Sequence, residues 1–221
     1  MPRGPTKRRP KTTAALLSAA RDVFAERGFH GSTIGEISGR AGLTTGAFYS
    51  NFDSKDALFL ALFDQHSQDV VERLKNIVSE ALRSEDPIAA LVAAMSEGHG
   101  EEPGWFLLSM EYTLHAIRNP VAARALADHD RRLRKELVQL LALLLERSGR
   151  RDDVDLDMLA RLLVAIHEGS LAQSLVERDT LPVGELERTY LATILHSVLA
   201  GDAAARPSAR TKPGRRRSVR S

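Results

Sequence analysis

Cysteine is absent from this chain of 221 residues. Its absence excludes disulfide bonds, thiol catalysis and cysteine-ligated zinc, and it fits a reducing compartment, so we expect a cytoplasmic protein. Long apolar runs are also missing, because none reaches the roughly 18 residues that a membrane-spanning helix needs. The seven histidines show no spacing typical of metal ligands or of an activated nucleophile. The sequence therefore predicts no enzyme activity, no cofactor, no metal site and no membrane partner.

Net charge is also small, at a formal +2, but the charges are unevenly distributed. Residues 1–11 carry five basic side chains and no acid, and residues 202–221 carry seven basic side chains and one acid. The segment between them is acidic overall. Two basic ends on an acidic body favour a polyanion such as nucleic acid as the partner. For the C-terminal end, a disordered tail that only keeps the protein in solution is an equal alternative.

Apolar residues recur at helical spacing through nearly the whole chain, and no segment reads convincingly as a strand. Thr33 and Glu36 form a capping box, Thr44 can cap a very short third helix, and Asp53 or Ser54 can cap the fourth. The later helices are predicted to start near residues 86, 102, 120, 155 and 183. The fold class is therefore all-α, with about nine helices: three short ones followed by a bundle of longer ones.

Aromatic residues make up only 5% of the chain, yet three of them fall in the short segment 41–57, AGLTTGAFYSNFDSKDA. The segment completes a helix, a tight turn at Gly42 and a second short helix, which is the pattern of a helix-turn-helix. Gly42 suits the turn because it adopts a positive φ without steric penalty. Phe48 and Phe52 are predicted to be buried anchors, since so short a helix does not hold itself in water. Helix pairs of this kind also occur in proteins that never touch DNA.

A more specific signal comes from residues 12–60, and above all from TIGEISGRAGLTTGAFYSNFDSKDALF. This ordered run resembles the DNA-binding domain of the TetR (tetracycline-repressor) family. The resemblance implies a homodimeric, ligand-responsive transcriptional regulator, a repressor released from a palindromic double-stranded DNA operator by a small-molecule effector. Carried over by position, the residues implied to contact bases, the groove edge or phosphates are Thr33, Arg40, Thr44, Thr45, Gly46, Tyr49 and Lys55.

Four regions are expected along the chain. Residues 1–11 would form a basic flexible arm, residues 12–56 the helix-turn-helix domain, residues 57–201 the domain that binds the effector and forms the dimer, and residues 202–221 a basic disordered tail. The N-terminal arm would supply electrostatic attraction to DNA, because the helix-turn-helix domain is itself nearly neutral.

Candidate effector ligands are the bulky or polarisable residues on the fourth to sixth helices, since small-molecule pockets need several such groups around a few polar ones. They are Phe63, His66, Met95, Trp105, Met110, Tyr112 and His115. The alternative, that each simply packs in the core, applies to about half of them. Glu111 and His115 lie four residues apart on one helix face, where a hydrogen-bonded pair is a far commoner arrangement than a metal site.

The last two helices usually form a four-helix interface between subunits of this family. The candidate interface residues here are Leu159, Leu163, Ile166, Leu191, Ile194, Leu195 and Val198. Some of these side chains must instead belong to the core of a single subunit, and the helical period does not assign them individually.

Two rival functions remain open from the sequence. A sequence-indifferent architectural protein would bind DNA through the two basic ends, and an enzyme would place its chemistry in the helical bundle. Removal of both ends separates the first rival from a specific regulator, and turnover of a candidate effector would reveal the second.

Overall fold

A computed structural model of the protein describes residues 8–97, 102–147 and 154–200. These ranges hold nine α-helices and no strand, which confirms the all-α prediction. The helices are α1 (Arg8–Gly31), α2 (Ile34–Arg40), α3 (Thr45–Tyr49), α4 (Lys55–Ala81), α5 (Pro87–Glu97), α6 (Glu102–Arg118), α7 (Pro120–Arg147), α8 (Leu156–Val176) and α9 (Ala192–Ala200). A π-helical turn, Glu187–Leu191, runs directly into α9. None of the helices described is long and apolar enough to cross a membrane.

Side-chain caps fix the starts of the short helices where the sequence placed them. The Thr33 side chain accepts from the Glu36 N–H, and the Glu36 carboxylate accepts from the Thr33 N–H, so the capping box is complete. Thr44 caps α3 and Ser54 caps α4 by the same kind of bond. Each cap supplies an acceptor for an N–H that has no partner within its helix.

Two helix ends differ from the predictions. Helix α1 begins at Arg8, inside the segment that we expected to be a flexible arm, while residues 1–7 lie outside the described part. The final helix was predicted as one element from about residue 183. It instead opens with the π-helical turn, after Gly184 adopts a φ of 80°. The wide turn carries Glu187 and Leu191 to the buried side together. The predicted stop at residues 98–100 and the C-terminal tail also lie outside the described residues.

Three apolar clusters hold the helices together. The first contains residues of helices α1, α2, α3, α4 and α6 and of the start of α7, and it includes most of the buried phenylalanines. The second joins α5, α7, α8, the π-helical turn and α9, and the third joins the C-terminal part of α4 to α5 and α7. Because α4 runs unbroken from the first cluster to the third, the DNA-binding segment and the helical bundle share one continuous element.

Candidate nucleic-acid interface and effector region

The α2–turn–α3 unit has the backbone that the sequence predicted. Gly42 takes a φ of 66° in the turn, and the Leu43 N–H donates to the Ser38 carbonyl at 2.8 Å. Phe48 is 0% exposed and Phe52 is 9% exposed, so both are the buried anchors that we expected. The five residues of α3 are therefore held by packing against the first cluster, since a helix this short has little stability of its own.

The opposite side of α3 is open to solvent. Thr44, Thr45 and Gly46 are exposed at its N-terminal end, and the Tyr49 ring is 59% exposed. Small side chains at this end allow close approach to a groove, and hydroxyl groups can meet phosphate or base edges. The structure thus brings four of the seven predicted DNA-contact residues onto one exposed face.

A polar bridge that the sequence did not reveal ties α3 to α1. The Thr13 hydroxyl donates to the Asn51 side-chain oxygen at 3.0 Å, and the Asn51 amide donates to the Ala47 carbonyl at 2.8 Å. Asn51 follows α3 directly, and Thr13 lies 38 residues earlier in the chain. No local sequence pattern predicts so distant a pair, which links the residue after α3 to α1.

Arg40 and Thr33 already have intramolecular partners. Arg40 forms two bonds with Glu26 of α1, at 2.9 and 2.8 Å, and this hydrogen-bonded carboxylate raises the pKa of the guanidinium. Arg27 of α1 pairs with Glu36 at 2.7 Å. Thr33 is exposed but occupied as the α2 cap. For Arg40, DNA at a groove edge would compete with the Glu26 carboxylate or use the guanidinium hydrogens that Glu26 leaves unbonded.

Lys55 has contacts other than those predicted. We expected its ammonium to face a phosphate across the start of α4. Its Nζ instead donates to the Phe29 carbonyl at 2.6 Å and to the Ser32 carbonyl at 2.8 Å. Burial lowers the pKa of Lys55, and the carboxylates of Asp56 and Glu111 partly offset that shift. Lys55 thus binds α4 to the end of α1, and a phosphate would have to use its third hydrogen.

Four of the predicted effector residues form a contiguous group of rings together with Phe59, which was not predicted. This group is here called the ring cluster and consists of Phe59, Phe63, His66, Trp105 and Tyr112. His66 stacks on Trp105 with centroids 4.2 Å apart, and Phe63 lies 5.3 Å from Trp105. Phe59 stacks between Trp105 and Tyr112, at 6.2 and 4.1 Å. The cluster thus runs between α4 and α6.

The remaining predicted effector residues have separate positions. His115 lies beside Tyr112 at the C-terminal end of α6, where its Nε2 is 3.0 Å from the Asp56 carboxylate. Met110 is half-buried on α6. Met95 packs against the third apolar cluster, away from the rings. Its part in an effector site therefore stays a prediction.

An open groove between α4 and α5 is a separate concavity. Its lining is mostly apolar and consists of Asn76, Ile77, Glu80, Ala81, Ala90 and Ala94. None of the predicted effector residues lines this groove. Within the described ranges, no three His, Asp or Glu side chains come together as a metal site.

Sequence comparison now assigns the fold to a family. The profile described as "Bacterial regulatory proteins, tetR family" matches residues 16–62, and the profile described as "BetI-type transcriptional repressor, C-terminal" matches residues 84–200. The chain belongs to the TetR family. The first match covers the helix-turn-helix, and the second covers the helical bundle, so TetR-family membership extends over both functional regions. The protein is accordingly a transcriptional regulator and not an enzyme.

Individual relatives agree with this assignment. The HTH-type transcriptional regulator UidR of Escherichia coli K12 is 25% identical over 161 residues, which cover 73% of this chain and 80% of UidR. Salmonella enterica GusR superposes with a TM-score of 0.66 at 28% identity, covering 86% of this chain and 96% of GusR. A regulator from Saccharomonospora viridis, solved with choline, has a TM-score of 0.63 at 20% identity, covering 86% and 98%.

A partly buried polar triplet in the TetR-family bundle was missed by the sequence reasoning. His129 of α7 lies 2.7 Å from Asp64 and 3.1 Å from Ser67, both on α4, and its ring stacks on Phe63 at 4.1 Å. The hydrogen bonds from Ser67 to His129 and from His129 to Asp64 resemble those of a hydrolase triad, but the resemblance does not extend to access for a substrate. Ser67 and His129 are 8% and 2% exposed, so the hydroxyl is closed to substrates. The triplet fixes α4 against α7.

The predicted dimer residues divide into three groups. Leu159, Leu191 and Leu195 are at most 5% exposed within the second cluster, so they serve the subunit's own core. Leu163 and Ile166 are half-buried against that cluster. The most exposed are Ile194 and Val198, at 37% and 38%. Three further large apolar side chains are exposed on α8 or just before α9, namely Met158, Leu162 and Tyr190.

Proposed function

We propose that this TetR-family protein is a homodimeric repressor that binds a palindromic operator and releases it when a small-molecule effector binds the helical bundle. The observation that carries the proposal is the α3 face, where Thr44, Thr45, Gly46 and Tyr49 are exposed directly above the buried Phe48. A rigid short helix with small polar residues at its entry end fits the major groove.

Residue roles follow from position and chemistry. Thr45 and Gly46 would approach base edges, so Thr45 contributes to sequence preference. Tyr49 would meet a phosphate through its hydroxyl, and Arg40 would leave Glu26 for the groove edge. Phosphate contacts fix the register on the duplex without reading its sequence, whereas base contacts set specificity.

The homodimer would form through α8 and α9. Met158 and Leu162 lie four residues apart on α8, and Tyr190, Ile194 and Val198 follow the same spacing into α9. Side chains four apart share one face of a helix, so each element presents an apolar stripe to solvent. Two such stripes meeting their symmetry copies would form a four-helix interface, and a two-fold dimer matches a palindromic operator.

The effector would bind beside the ring cluster. The rings of Phe63, His66 and Trp105 are half-buried, so part of each remains accessible to solvent next to α4, the helix shared with the DNA-binding segment. The acidic bundle and these rings suit a neutral or cationic ligand, since aromatic faces attract ammonium groups. Choline, present in the Saccharomonospora viridis neighbour, is therefore the first probe to test.

Selection of bound duplexes from a random DNA library tests the proposal. The full chain should enrich a palindrome whose half-sites lie about 34–36 Å apart. Tyr49→Phe should weaken binding to all duplexes alike, and Thr45→Ala should change which bases are preferred. The docking is wrong if neither substitution alters operator binding. Removal of residues 1–7 and 202–221 should weaken operator recognition but preserve it, whereas an architectural protein would lose all binding.

A further inference from the structure

We infer that α6 sets the angle of the DNA-binding domain directly, by a polar contact from Glu111 to the end of α1, and that Glu111 is therefore a positioning residue for operator binding. The inference rests on the proposed function and concerns its regulation. The contact belongs to a small region, here called the α6 joint, formed by Gly28, Phe29, Lys55, Asp56, Glu111 and His115.

The central contact of the α6 joint spans 82 residues of chain. The Phe29 N–H donates to Glu111 Oε2 at 2.7 Å. Gly28 turns the chain with a φ of 70°, and a Cβ atom at this position would lie 2.5 Å from both Glu111 carboxylate oxygens. The positive φ favours glycine at this position, and any side chain here would have to displace the Glu111 carboxylate from its contact with Phe29.

The same joint also holds the start of α4. Asp56 accepts from the Tyr112 hydroxyl at 3.3 Å and lies 3.0 Å from His115 Nε2, and both partners are on α6. Lys55 donates to the Phe29 carbonyl, so the peptide groups at the end of α1 are bound from both sides. One face of α6 therefore contacts α1 and α4 at once, beside the helix-turn-helix.

The ring cluster connects this joint to the proposed effector region. Phe29 lies 5.0 Å from Tyr112, Tyr112 stacks on Phe59, and Phe59 stacks on Trp105. Trp105 and Glu111 are on the same helix, six residues apart, which is about 9 Å along its axis. A ligand that shifts the Trp105 end of α6 would move the Glu111 carboxylate with it.

A hydrogen bond suits this coupling because it depends steeply on geometry. An apolar contact tolerates sliding, whereas an N–H···O bond weakens steeply once its angle bends or its length grows. Movement of α6 would release the end of α1, and the two DNA-binding domains of a dimer would lose their fixed separation. Binding to a complete palindrome requires that separation, whereas binding to a single half-site does not.

The test compares these two duplexes, using the palindrome selected by the wild-type chain and a version with one half-site scrambled. Glu111→Ala in the full chain should lower the preference for the complete site about tenfold, within the usual range of coupling between sites. Affinity for the single half-site should stay within about twofold, because the α3 face is unchanged. Glu111→Gln should fall between, since its amide oxygen still accepts the Phe29 N–H. The matched control is Glu136→Ala, which removes a carboxylate on α7 that pairs with Lys75 on α4 at the surface of the bundle.

A second readout is independent of DNA. Because the chain has no cysteine, Ser18→Cys on the exposed side of α1 gives one spin label per subunit. The label-to-label distance distribution should broaden in Glu111→Ala and stay narrow in Glu136→Ala, with helix content unchanged by circular dichroism. An unchanged distribution together with an unchanged site preference would overturn the inference. If the wild type selects no duplex, the proposed function fails, and the label distances alone decide whether the joint positions α1. If Glu111→Ala does not fold, Glu111→Gln decides by both measurements.

Discussion

At the scale of single residues, two arginines beside the candidate DNA face form ion pairs with nearby glutamates. Arg40 is bound to Glu26 and Arg27 to Glu36, although all four side chains are substantially exposed. Exposed pairs of this kind contribute little to stability, so their main effect is to keep cations close to the surface of α1 and α2. Phosphates would compete with these carboxylates for the same guanidinium groups.

Removal of one competing acid should therefore strengthen DNA binding. Glu26→Gln releases Arg40 from a charged partner, and we expect operator affinity to rise about threefold to tenfold with a steeper salt dependence, by about one further phosphate contact. Fluorescence anisotropy at several salt concentrations measures both quantities. Glu80→Gln is the control, because it breaks a comparable exposed pair, with Arg83, far from α3. Equal salt slopes for wild type and Glu26→Gln would contradict the role given to Arg40.

Two acidic residues of the bundle, Glu168 and Asp64, should have opposite effects on how stability changes with pH. Burial raises the pKa of Glu168, and the charge of Asp130 raises it further. Burial also acts on Asp64, but hydrogen bonds from Arg132 and His129 outweigh it and leave the pKa of Asp64 below its usual range. A raised carboxyl pKa means that ionisation disfavours the folded state, and a lowered pKa means that ionisation favours it.

Replacing each carboxylate by its neutral amide should change the free energy of unfolding in opposite directions. Glu168→Gln should raise the free energy of unfolding at pH 7 by about 0.5 kcal/mol, a small value because the side chain reaches solvent. The gain should vanish near pH 3, below the pKa of the unfolded carboxyl. Asp64→Asn should do the reverse, with a loss at pH 7 that disappears as the pH falls through the lowered pKa. Urea unfolding at both pH values measures the difference, and a gain for Asp64→Asn at pH 7 would refute the assignment.

At the scale of helices, the local rules of capping and turn formation predicted the start of the chain well. The capping box at Thr33, the cap at Thr44 and the positive φ of Gly42 each depend on residues within a few positions. The partners of Lys55 and Glu111 were not predictable in this way, because their contacts join α4 and α6 to the end of α1 over 26 and 82 residues. Sequence patterns name such residues but do not bring distant helices together.

The anchoring of α3 can be tested as a property of the element. Phe48→Ala removes a fully buried ring, so we expect a loss of about 3–5 kcal/mol in local stability and loss of operator binding even where the bundle stays folded. Hydrogen exchange of the α3 amides and anisotropy with operator measure the two effects. Leu145→Ala in the second cluster is the control: it should lower overall stability by a similar amount while the α3 amides stay protected. Intact operator binding by Phe48→Ala would show that α3 does not depend on this ring.

At the scale of the whole molecule, the exposed stripes of α8 and α9 form the proposed dimer interface. The core leucines of these helices could not be separated from surface ones by periodicity, since both recur at three and four residues. Burial separates them: Leu159, Leu191 and Leu195 face inward, whereas Ile194 and Val198 face solvent. The proposed interface accordingly keeps Ile194 and Val198 from the seven residues predicted from the sequence, and it adds Met158, Leu162 and Tyr190.

A charge placed on this stripe should therefore produce monomers. Ile194→Asp combined with Val198→Asp should shift the sedimentation coefficient from that of a dimer to that of a monomer, and operator affinity should fall at least about a hundredfold as one half-site is lost. Ile117→Asp, at a highly exposed position on α6, is the control and should leave the dimer intact. Dimers that persist in the double substitution would place the interface elsewhere.

The ring cluster has one more consequence, which is optical. Trp105 is the only tryptophan of the chain, and it lies against both His66 and Phe63. Its emission comes from a single known place, so any spectral change can be assigned without labels or substitutions. Titration of the unmodified protein with candidate compounds, and separately with operator, would reveal whether the same indole senses both.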